Sequence, residues 1–204
     1  MTSHSNRALL LVLGLFVLGV VFFPGFTPTR PITQRDAQHV MSDLSLDNLE
    51  VSLAQASPAD TPRLSVSVKN THPSTTLTLL RWDSPLDPLA LQLGLIAVTP
   101  AGGASAPLDM PTIQIRRAMP PDAESLVTLR PGESASSVVE LRDSFVPRDT
   151  WAQGKAKIGM RGSWAAIWPG LRKDDLLGDV ERLSALGGGD GVLTGEWESP
   201  TVEF

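Results

Sequence analysis

Cysteine and tyrosine are both absent from this 204-residue chain, and histidine occurs only as His4, His39 and His72. The lack of cysteine removes disulfides, thiolate metal sites and a cysteine nucleophile together. It leaves the compartment open, because a domain of this size is stable without disulfides. No two histidines stand four residues apart. A zinc helix, which needs two imidazoles on one face beside a carboxylate base, therefore cannot be built. Basic clusters are scarce as well. The net charge is −5, and nothing is denser than Arg116-Arg117 or Arg172-Lys173. A phosphate-binding surface needs a basic stripe, so nucleic acid is not an expected partner. None of Asn6, Asn48 and Asn70 opens an N-glycosylation sequon.

What is present is punctuation and alternation. The 17 prolines and 17 glycines break an apolar content of 42% into short runs. Such a composition favours turns over long helices. Leu64, Val66 and Val68 alternate with Ser65, Ser67 and Lys69, the period of a half-buried strand. Further strands are expected at Leu46–Leu53, at Leu77–Trp82 (more continuously apolar), and at Leu93–Val98, which ends in the turn Pro100-Ala-Gly-Gly103. Thr112–Arg116 carries Ile113 and Ile115 on one face. Leu126–Leu129 and Ser134–Leu141 flank Arg130-Pro-Gly-Glu133, read as a hairpin turn. Lys155–Met160, Trp164–Ile167 and Thr201–Phe204 complete the set. The expectation is an all-β, immunoglobulin-like sandwich of about seven to nine strands. One short helix is inserted, capped by Asp174 and carrying Leu176, Leu177, Val180, Leu183 and Leu186 at helical spacing. Gly187–Gly191 ends it.

Ahead of this domain, Ala8 to Phe23 is an apolar run of 16 residues, and Pro24-Gly25-Phe26 extends it to 19. As a helix, 19 residues span roughly 28 Å, enough for a hydrocarbon core of ~30 Å. Arg7 supplies the positive flank. The organisation expected is therefore a signal anchor or signal peptide over residues 1–26, a linker over 27–46, and the sandwich over 47–204. An uncleaved single-pass anchor through residues 8–26 is favoured over a cleaved signal. A cut after Gly19 would expose Val20-Val21-Phe22-Phe23, and Phe23-Pro24-Gly25 is a poor site. Arg30 and Arg35 lie beyond the segment, so charge does not set its orientation. Its position at the N-terminus favours translocation of the rest of the chain into the secretory pathway.

The order Val68-Lys-Asn-Thr71, Leu77-Thr-Leu-Leu80, Asp83-Ser-Pro85, Ile115-Arg-Arg117, Leu129-Arg-Pro-Gly-Glu-Ser134 resembles the propeptide domain of deuterolysin-type fungal metalloproteases. The strand from Lys155 to Gly162 comes next in the same order. The resemblance covers about Leu49 to Gly162, and no counterpart of that family's protease domain is present. It implies a free-standing, propeptide-like sandwich that inhibits a metalloprotease or assists its folding. Docking would proceed by edge-strand pairing or loop insertion.

Sharper chemical readings each meet a plainer one. Gly132-Glu-Ser-Ala-Ser136 approaches a nucleophile elbow, but β-prone residues come after Ser134 where the elbow needs a helix. Gly187–Gly191 lacks the Gly-Lys-Ser/Thr of a P-loop. Arg116-Arg117 is a candidate dibasic processing site, set aside because a paired strand would shield its backbone. Asp83, Asp87 and Asp109 read as turn and cap residues rather than calcium ligands. The tryptophans are chiefly core, Trp168 beside Pro169-Gly170 being the one expected to be exposed. A non-enzymatic protein without cofactor or metal is expected, with Trp168, Arg116 and Arg117 as partner contacts. The alternative is a glycan or small-ligand module using exposed tryptophans.

Overall fold

The computed structural model describes residues 44–56, 61–102, 106–152 and 154–204. The expected membrane segment, and the linker up to residue 43, lie outside the described residues. Among the described residues no helix is long and apolar enough to cross a membrane.

Among the described residues nine strands form two sheets. The smaller contains β1 (Leu49–Gln55), β2 (Arg63–Asn70) and β6 (Ser134–Glu140), in the order β1-β2-β6. The larger is built on β7 (Lys157–Pro169), with β4 (Ile96–Thr99) and β3 (Leu77–Leu80) along one side and β5 (Leu126–Leu129) beyond β3. β8 (Leu193–Glu198) and β9 (Val202–Glu203) also pair with β7. All the pairings are antiparallel. Between the sheets, Leu64, Val66 and Val68 of β2 meet Leu79, Val98, Ile158, Met160 and Ile167 in the main core. This is the face that the alternation of β2 marked out.

β7 has a second, opposite face that is also buried. Trp164 lies opposite Gly195 and Ile167 opposite Leu193, so Ala165 and Ala166 together face the single residue Thr194. A bulge of this kind inserts one residue and reverses which side chains point to which face. Before it, Ile158, Met160 and Trp164 enter the main core; after it, Ile167 does so while Ala166 and Trp168 turn outward. Two short helices, α1 (Lys173–Leu177) and α2 (Val180–Ala185), cover them with Leu176 and Leu183. β3 is buried on both faces for the same reason, which explains its continuous apolar run. Thr78 Oγ1 donates to Leu171 O, leaving Thr128 Oγ1 to donate to Thr78 and accept from Lys173 N, so both hydroxyls tie α1 to the sheet.

Five local expectations are corrected. Thr112–Arg116 joins no ladder among the described residues. β8 escaped notice because Gly195 interrupts a strand whose pattern is otherwise plain. Lys155–Met160 and Trp164–Ile167 are parts of one strand rather than two. The single helix is two, because Asp179 restarts the backbone by accepting from Arg182 N at 3.0 Å. That break leaves Leu177 and Val180 exposed instead of on a buried stripe. Finally, Arg130-Pro-Gly-Glu133 is a turn, with Gly132 at φ +76° and Glu133 N donating to Arg130 O, but it joins strands of different sheets and so is no hairpin.

Asn70 holds this crossing. Its fully buried Nδ2 donates to Thr75 O and Leu129 O, both at 2.9 Å, and its Oδ1 accepts from His72 N at 3.0 Å. Its backbone bonds Gly132 and Glu133 in the turn. One side chain thus joins the ends of β2 and β5 to the loop leading into β3. Asn70→Ala removes three buried side-chain-to-backbone hydrogen bonds and is expected to cost about 2 kcal/mol. A shift of the urea midpoint with unchanged m-value checks this, and a loss below about 0.5 kcal/mol would contradict it.

Candidate interaction surface

The segment from Ala106 to Pro121 leaves the edge of β4 and crosses the outside of the domain. Four prolines (Pro107, Pro111, Pro120 and Pro121) bracket it, and each removes an amide that a ladder would need. Leu108 N donates to Val98 O, and Leu108 and Met110 pack on the main core. Ile113 N then donates to Gln92 O at 2.9 Å. From residue 114 to 119 no backbone amide finds an acceptor among the described residues. Side chains track the backbone outward: Ile113, Ile115 and Met119 are 44%, 37% and 51% exposed. These three are half of the six large apolar side chains exposed among the described residues.

The far end is tied down by charge. Asp87 is fully buried; its Oδ1 accepts from Leu89 N at 2.9 Å, and its Oδ2 from Asp83 N at 2.8 Å and Arg117 Nη2 at 2.5 Å. Arg117 is the ion-pair partner of this carboxylate, and its guanidinium also lies 5.7 Å from the Trp82 ring centroid. A flat cation over an indole face is a favourable electrostatic contact. Trp82 is held in turn, its Nε1 donating to Ser125 Oγ at 3.1 Å while Ser125 Oγ donates to Asp122 Oδ1 at 2.7 Å. The Ser125 hydroxyl and amide bonds keep the exposed Asp122 carboxyl below its ordinary pKa. Together Trp82, Ile115, Arg116, Arg117, Pro120 and Asp122 line a groove of about 400 Å³.

Of the expected contact residues, Arg116 and Arg117 stand in this groove. Arg116 is exposed, whereas Arg117 is committed to Asp87 and Trp82. Trp168 does not line it. It is 1% exposed, covered by the helix pair, and the expectation that it was an outward contact is corrected. None of the five tryptophans is fully exposed: Trp164, Trp168 and Trp197 are buried, and Trp82 and Trp151 half-buried. Of the five, Trp82 lines this groove, with the Arg117 guanidinium over its ring. Sequence reasoning missed Trp82 and Asp87 as site residues; the proline bracket was the signal that could have moved Thr112–Arg116 out of the sheet.

The remaining chemical readings find plain roles. Ser134 opens β6 with no helix behind it. His72 is buried, its Nδ1 accepting from Ser74 N and Thr75 N. A Cβ on Gly187 would lie 2.4 Å from Thr194 Cγ2 and 2.7 Å from Ala165 O, so this glycine permits close packing against β7. No group of acidic or histidine side chains among the described residues is placed to hold a metal ion.

Two comparisons bear on this arrangement. A family model for an immunoglobulin-like domain matches residues 48–204. An uncharacterized secreted protein of Arthroderma benhamiae is 34% identical over 140 residues, which cover 69% of this chain and 67% of that protein.

Proposed function

Because the chain belongs to the immunoglobulin-like domain family, we propose that it acts by protein–protein contact without chemistry of its own, docking through residues 112–119. The observation that carries this reading is the stretch itself. From residue 114 to 119 its amides find no acceptor among the described residues, and Ile113, Ile115 and Met119 are exposed on a stretch that belongs to no helix or strand. Such a segment is a ready template for an added strand, with amides giving affinity and alternate side chains giving selectivity. The relative from Arthroderma benhamiae is described as secreted. That description supports placing this chain in the secretory pathway, free or held to a membrane through residues 8–26.

The prodomain resemblance supports a narrower version, in which the partner is a deuterolysin-type zinc metalloprotease and the segment occludes or braces its catalytic domain. The test is to titrate the full chain into such a protease and monitor substrate hydrolysis. Slowed hydrolysis is expected, weakened on the order of 100-fold by Ile113→Asp with Ile115→Asp, since each isoleucine buried at a contact is worth about 1.5–3 kcal/mol. No slowing by the unaltered chain removes the protease as partner. Equal slowing by both chains removes residues 112–119 from the contact.

A further inference from the structure

The chain has two paired basic sites, Arg116-Arg117 and Arg172-Lys173. The structure treats them in opposite ways. At the second, Arg172 N donates to Asp175 Oδ2, Lys173 N to Thr128 Oγ1, and Leu176 N to Arg172 O, so the backbone is clamped into the start of α1. At the first, the amides of residues 114–119 find no acceptor among the described residues, the backbone belongs to neither helix nor strand, and all of residues 111–120 but Arg117 are exposed. Endoproteases bind substrate as an extended strand and need that backbone unpaired. The shielding that a paired strand would have provided is not there.

We propose that Arg116-Arg117 is a processing site for an endoprotease with two acidic pockets that recognise paired guanidinium groups, and that it cuts after Arg117. Water adds to the Arg117 carbonyl and the C–N bond to Ala118 breaks. Arg117 is left with an α-carboxylate and Ala118 with an α-amino group. The Arg117 side chain, 23% exposed and paired with Asp87, is the latch on this site. Cleavage waits on release of the guanidinium, and its rate tracks the population of the released state. The cut falls between β4 and β5. The pieces 1–117 and 118–204 remain joined by the β2–β6, β3–β5, β3–β7 and β4–β7 ladders. The product is a nicked sandwich that carries a new chain end in the middle of the exposed segment.

The experiment is limited digestion of the purified full chain with a subtilisin-like endoprotease specific for paired basic residues. A free peptide spanning residues 110–122 is digested in parallel, and fragments are identified by mass spectrometry. One cut after Arg117 is expected, with both pieces co-eluting on size exclusion until denatured. Arg116→Gln, which alters an exposed side chain outside the latch, should slow the cut at least roughly ten-fold. Asp87→Asn, which weakens the latch, should speed it roughly ten-fold. The proposal is overturned if the folded chain stays intact while the peptide is consumed, if the first cut falls after Lys173, or if Arg116→Gln is cut as fast as the unaltered chain.

Discussion

Replacing Trp168 by alanine is expected to lower the stability of the domain by about 3–5 kcal/mol, the usual cost of deleting a large buried aromatic. The ring is 1% exposed and packs with Leu80, Leu126, Ala166, Leu176 and Leu183 in the second core. α1 and α2 are each too short to hold their conformation alone, so their stability depends on packing against this side chain. Chemical denaturation of the variant should show the lowered midpoint, and the near-UV circular dichroism of the remaining tryptophans should change as the helix pair loosens. Trp168→Phe provides the contrast. The Trp168 indole N–H has no partner among the described residues, so phenylalanine removes an unsatisfied buried donor while keeping most of the apolar contact. Its cost should stay near 1 kcal/mol. A Trp168→Ala loss under about 1 kcal/mol would mean that the helix pair does not cover this face in solution.

The second large effect is expected at Asp87. Asp87→Ala removes the partner of Arg117 and the acceptor for two backbone amides, those of Asp83 and Leu89. Breaking a buried ion pair by deleting one member costs ~3–5 kcal/mol when both charges are buried. Arg117 keeps some contact with water, which places the loss at the lower end, about 3 kcal/mol. The mirror variant, Arg117→Met, strands a buried carboxylate and should also destabilise. The double variant Asp87→Ala with Arg117→Met should recover part of the loss, because no unpaired charge remains. Equilibrium unfolding of the four chains checks the cycle. Full additivity of the single losses would show that the pair is not coupled.

Much of the domain was legible from residue order. The alternation of Leu64, Val66 and Val68 marked β2 and the face it buries, because a strand's side chains repeat every second residue whatever lies around it. Leu126–Leu129 has the predicted bounds, set off by the Arg130-Pro-Gly-Glu133 turn whose backbone demands are local. The absence of cysteine and the wide spacing of the histidines bounded the chemistry by themselves. The basic doublet and Ile113-Gln-Ile115 were visible as residues, though not as a surface.

Only the tertiary structure decided which of these residues face water. Trp168 looked exposed beside Pro169-Gly170, but one extra residue in β7 turned it onto the outer face, and the helix pair that comes after the strand folded back to cover that face. Ile113 and Ile115 looked like a strand's buried face, yet no strand among the described residues accepts their segment, and a strand exists only when a partner supplies the ladder. Arg117 is latched because Asp87, thirty residues earlier, is buried where its charge must be met. Periodicity and turn chemistry are local properties that the chain carries in its order. Burial, pairing and charge compensation depend on what arrives from elsewhere, and those are the properties that shaped the exposed segment at residues 112–119.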